Sequence, residues 1–115
     1  MDYSGLEQAQ ADVCKQYGRQ FVACPMDSIM GVAVQTLAHR PIHGLRHRPE
    51  RNTNGWYIWA GEYFAASDFF SPLHTLHMIE QAPEVINYLG LPPGCRFLLA
   101  DDHSDVWFDP ALLTA

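Results

Sequence analysis

The 115-residue sequence predicts a small α+β domain with a mainly antiparallel sheet packed against two to four helices. Three observations carry this. An amphipathic helix signal opens the chain. Short runs of strand formers lie at Trp56–Trp59, Cys95–Ala100 and Asp105–Phe108. Helices and strands then follow one another without a regular β-α-β alternation, which disfavours a parallel α/β sheet.

Ser4-Gly5-Leu6-Glu7 has the form of a capping box, with Ser at the cap and Glu three residues on. Leu6, Ala9, Val13 and Tyr17 follow at spacings of three and four, so residues 5–17 read as a helix that Gly18 stops. Phe21–Cys24 is a short apolar piece ended by Pro25. Asp27–Ala38 reads as a helix through Ile29, Met30, Ala33 and Leu37, and a strand through Val32 and Val34 is the alternative. Pro41–Arg48 reads as a short strand with a basic outer face.

Asn54-Gly55 is a turn signal directly before the strand Trp56-Tyr57-Ile58-Trp59. Tyr63–Asp68 reads as a loop. Ser71 then caps a helix with Pro72 at its first position and Leu73, Leu76 and Ile79 on its buried side. Pro83 restarts a helix that buries Val85, Ile86 and Leu89 and closes at Gly90. Pro92-Pro93-Gly94 is a rigid turn before a hairpin, strand 95–100, turn 101–104 and strand 105–108. Asp109-Pro110 caps a last helical turn. The expected organisation is one domain over residues 1–115, with a helical part at 1–40 and sheet and helices at 41–115.

Hydrophobic residues make up 48% of the chain, enough for a core, and charged residues only 17%. The net charge of −6 argues against general nucleic-acid binding, which needs a positive field, and suits a basic partner. Three cysteines, Cys14, Cys24 and Cys95, give neither a disulfide framework nor a zinc knuckle. Neither a signal peptide nor a membrane span is visible, so the cytoplasm is the expected location.

Chemistry has few footholds. His74-x-x-His77-x-x-Glu80 on a predicted helix offers two imidazoles and a carboxylate to a metal, with Asp68 as another donor. Three successive turns spread these groups around the helix, so a solvated polar face outweighs a site. His39, His43 and His47 join Arg40, Arg46, Arg48 and Arg51 in a basic patch, best explained as an edge strand protected by its charges. Glu62 and Asp68 form a carboxylate pair with nothing to show that they converge. Ser28 and Ser71 read as caps, and no nucleophile elbow or phosphate loop is present. No catalytic residue and no cofactor is expected. Asp101, Asp102, Asp105 and Asp109, four acids in nine residues, are either a compact negative knob or an ordinary polar turn.

Gly55-Trp56-Tyr57-Ile58-Trp59-Ala60-Gly61-Glu62, Asp68-Phe69-Phe70, Leu91–Phe97 and Asp105–Asp109 together resemble the small immunity proteins of bacterial toxin systems. The similarity, to immunity protein family thirty-three, runs from Pro41 to Asp109. It implies a non-enzymatic cytosolic antitoxin whose partner is a cognate protein toxin, with self-association through exposed aromatics also open. The expected contact surface is Trp59, Glu62, Tyr63, Phe64 and Asp68 with the acidic hairpin residues Asp101, Asp102 and Asp105. Tyr63 and Phe64 are the expected buried anchors.

Overall fold

A computed structural model describes residues 4–51, 53–66 and 68–114. Helix α1 (Ser4–Gln16) ends where Gly18 takes a positive φ of 67° and the Arg19 amide reaches back to the Cys14 carbonyl at 2.8 Å. That is the left-handed exit expected of glycine. The side chain of Ser4, on which the predicted capping box depends, lies outside the described residues.

Six strands form one mixed sheet. They are β1 (Ile29–Val32), β2 (Ile42–Arg46), β3 (Thr53–Ala60), β4 (Ser71–His74), β5 (Cys95–Leu99) and β6 (Ser104–Phe108), in the order β4-β1-β3-β2-β5-β6. Only β1 and β3 pair in parallel; every other pair is antiparallel. Two short helices, α2 (Met78–Gln81) and α3 (Pro83–Ile86), join β4 to β5. The architecture is the α+β class the sequence predicts.

Among the described residues, α1, α2 and α3 all contribute to one core on one side of the sheet. Cys14, Met78, Val85 and Ile86 meet Met30, Val32, Ile42, Trp56, Ile58, Phe97 and Val106 there. The Trp56 indole N–H donates to the Leu89 carbonyl at 3.0 Å, and Gln10 donates to the Ile86 carbonyl at 3.0 Å, so both of these polar groups are paired.

Four local readings are corrected. Residues 27–38, read as a helix, hold β1 and then a 3₁₀ turn at Val34–Thr36. Met30 and Val32 alternate inward against β3, and burial at period two outweighs the slight helical preference of the segment. The helix read from Ser71 is β4, an edge strand whose Pro72 lies opposite Gly31. At an edge the missing proline N–H need not cost a ladder bond. Its supposed buried side fails accordingly: Leu76 and Ile79 are exposed, while Thr75, Met78 and Ala82 turn inward.

The basic outer face of residues 41–48 is also overturned. β2 is a central strand between β3 and β5, not a charged edge. Arg46 points into the core at 1% exposure and makes five hydrogen bonds to the carbonyls of Val22, Ala23, Asn54, Leu89 and Leu91. Finally, Asn54-Gly55 is not a turn ahead of the strand but an irregularity inside β3, where Gly55 has φ 91° and the register to β1 shifts. Asn54 is buried, and its amide donates to Thr75 Oγ1 at 2.9 Å and Ser28 Oγ at 3.0 Å.

Candidate functional site

The face of the sheet opposite the helices carries a separate cluster, Ala33, Trp59 and Phe69 with Leu45 and Phe70, to which no helical residue contributes among the described residues. Alternation along the strands sends Leu45 and Trp59 outward, and the register places them in two rows of outward side chains. One row runs Trp59, His43, Leu98, Asp105; the other runs Tyr57, Leu45, Arg96, Trp107. Trp107 and Tyr57 remain over a third exposed.

The segment between β3 and β4 folds back onto this face through its aromatic rings. Tyr63 lies edge-on to Trp59 with ring centres 5.5 Å apart and to Phe69 at 5.6 Å. Phe64 meets Phe69 at 6.0 Å, and Phe70 meets Tyr57 at 5.2 Å. Such edge-to-face pairs add about 0.5–1.5 kcal/mol each beyond burial, so the segment is tied down by its own rings. Trp59 is left 5% exposed beneath it, while Tyr63 and Phe64 stay 55% exposed above.

Between the rows, Leu45, Tyr57, Trp59, Tyr63 and Phe70 wall a hollow of about 420 Å³ whose remaining lining is His47 and Arg96. His43 stacks on Trp59 at 5.1 Å, and burial, followed by the nearby Arg96 charge, holds its pKa below the ordinary histidine value of 6.5. The His47 ring meets Tyr57 at 5.5 Å, and its Nδ1 lies 3.0 Å from the Leu112 carbonyl. Arg96 donates to Asp109 at 3.0 Å.

The sequence-predicted acids gather at one end of the sheet. Ala60 pairs with Ile42 and Leu99 with Ser104, which brings Glu62, the Asp101–Asp102 turn and Asp105 to the same end. Val32 pairs with Ser71 there, so Asp68, three residues before Ser71, belongs to that end as well. Asp101 lies 3.9 Å from Arg40, which also pairs with Glu84 at 3.0 Å. Asp105 accepts from the Val106 amide at 2.8 Å. Asp109 belongs elsewhere: it binds Arg96 and caps the final 3₁₀ turn, Pro110–Leu113, as its sequence position predicts.

Residues that sequence reading left out of the surface are Leu45, His47, Tyr57, Phe70, Arg96 and Trp107. The period of two in β2 and β3 was the available signal. It fixes that alternate residues share a face, but not which face lies open. His74 and His77 stand edge-to-face at 6.1 Å, on β4 and the 3₁₀ turn after it rather than on one helix. Among the described residues no three His, Cys, Asp or Glu side chains are grouped to hold a metal ion. Burial pushes the thiols of Cys14, Cys24 and Cys95 above their ordinary pKa, away from the nucleophilic thiolate. No described helix is long and apolar enough to cross a membrane.

The model of the Imm33-like domain family matches residues 9–109. The chain belongs to the Imm33-like family. No curated protein and no solved structure shows a match. The match extends the resemblance read over Pro41–Asp109 back into α1, so the Imm33-like domain includes the helix-covered core as well as the open aromatic face.

Proposed function

We propose that this Imm33-like domain is a cytoplasmic immunity protein that neutralises a cognate bacterial toxin by direct binding, without catalysis of its own. The observation that carries the reading is the half-exposed pair Tyr63 and Phe64, in a chain of an immunity-protein family, on a sheet face to which no described helix contributes. Large aromatics held in the open at one place are the usual anchors of a protein interface.

In this reading Tyr63 and Phe64 enter the toxin, and Trp59 supports Tyr63 from below. Glu62, Asp68, Asp101, Asp102 and Asp105 face cationic groups of the partner. Bound this way, the domain covers the toxin's active site or holds it in an inactive shape.

The test begins with tagged wild-type chain incubated in native cell lysate, followed by purification of the protein it retains. Titration of that protein against wild type and against a Tyr63→Ala/Phe64→Ala double variant then reads the anchors. The expected result is one toxin-like protein in stoichiometric amount and a loss of affinity of about 100-fold or more in the variant. Unchanged affinity with an intact fold would reject these anchors. Failure to retain any toxin would reject the function itself.

A further inference from the structure

Tyr63 and Trp59 form part of the wall of the hollow on the open face, and each of its two basic lining groups already holds one partner. Arg96 is held by Asp109 at 3.0 Å, and His47 Nδ1 by the Leu112 carbonyl at 3.0 Å. A phosphate or carboxylate would have to compete with those partners. The other lining groups are apolar or aromatic: Leu45, Tyr57, Trp59, Tyr63 and Phe70. The space therefore suits carbon.

We propose that this hollow is an anchor site that receives one large apolar side chain from a cationic loop of the toxin. The inference rests on the toxin-binding reading and adds the chemistry of what is bound. A protein loop fits better than a free small molecule, because the hollow opens on a broad sheet face and lacks the converging free polar groups of a ligand pocket. Charge complementarity supplies the second half. Asp105 ends the row that contains Trp59, and Glu62 and Asp68 lie at the same end of the sheet, while Asp101 there is shared with Arg40. In a chain of net charge −6 these acids favour cations beside the inserted side chain and steer its approach.

Gly31 lies outside the lining, behind the Tyr57 wall, and bears on where that wall stands. A Cβ at this position would come within 2.7 Å of the Tyr57 ring and 3.5 Å of Phe70. The missing side chain lets Tyr57 lie back over β1 and leaves the space in front of it open.

The probe is the purified toxin retained by the wild-type chain, titrated by calorimetry and followed by surface binding kinetics. Leu45→Trp grows into the hollow from its floor. The expected result is a loss of affinity of about 100-fold, carried mainly by faster dissociation, with the circular dichroism of the free variant unchanged. If Leu45→Trp does not fold, Tyr57→Ala removes a wall instead and is expected to weaken binding at least tenfold. A folded variant that binds within twofold of wild type overturns the anchor site while leaving toxin binding intact. A wild-type chain that retains no toxin overturns both.

Discussion

At the scale of single residues, Arg46 is the most demanding position. Its guanidinium is buried without a carboxylate partner among the described residues and lies 5.6 Å from the centre of the Trp56 ring. The five carbonyls it binds come from three separate stretches, Val22–Ala23, Asn54 and Leu89–Leu91. Of these five carbonyls, that of Leu89 also accepts from the Trp56 indole N–H. Arg46→Met fills similar space but leaves buried acceptors unpaired, and bonds to a charged donor contribute about 1.5–3 kcal/mol each without adding fully. The expected loss is roughly 3–5 kcal/mol, a large share of the 5–15 kcal/mol typical of a domain. Urea unfolding measures it; a midpoint shift equivalent to under about 1 kcal/mol would show that Arg46 is incidental. The sequence placed Arg46 in a solvated basic patch. Charge was a reasonable guide to exposure, but side-chain direction in a strand follows register, and the register here points Arg46 inward.

At the scale of elements, the two sheet edges differ in how they are protected. β4 carries Pro72, which has no N–H to offer a further strand. β6 is protected differently. The bonds from the Ala100 amide to His103 and from the Asp109 amide to Gly94 fix which residues of β6 face β5, and by alternation the Val106 amide points outward. That amide is taken by the carboxylate of Asp105 next to it, at 2.8 Å. Asp105→Ala should free the outward N–H without disturbing the inner ladder. The expected outcome is faster hydrogen exchange at Val106 by about tenfold or more, with Trp107 little changed. Equal protection in both proteins would mean that the carboxylate is not the cap. The hairpin itself was legible from the sequence, with strands and turn placed within a residue or so, because its signals are local. The edge positions of β4 and β6 were not, since an edge is defined by an absent neighbour.

At the scale of the whole molecule, the charge of −6 is unevenly spread, with several acids at one end of the sheet whose open face is aromatic. Long-range attraction between exposed charges is screened over about 8 Å at physiological salt, whereas aromatic burial is not. Raising salt from about 0.05 M to 0.5 M should therefore slow association with the toxin proposed as partner by about tenfold and change dissociation little. Asp101→Lys/Asp102→Lys should flatten that dependence. A salt-independent association rate in wild type would remove the steering role of the acidic end. The same scale separates what the sequence determined from what folding decided. The sequence alone determined the N-terminal helix and its glycine stop, the central aromatic strand, the C-terminal hairpin, the Asp109 cap and the family, because these depend on neighbours in the chain. Tertiary structure decided that residues 29–32 and 71–74 become strands, that β2 is central and that Arg46 is buried. It also decided that the rings of β3 and the following loop meet Leu45 and Arg96 around one hollow. Those outcomes depend on pairing between segments far apart in sequence, where burial against a partner strand outweighs local preferences of a few tenths of a kcal/mol per residue.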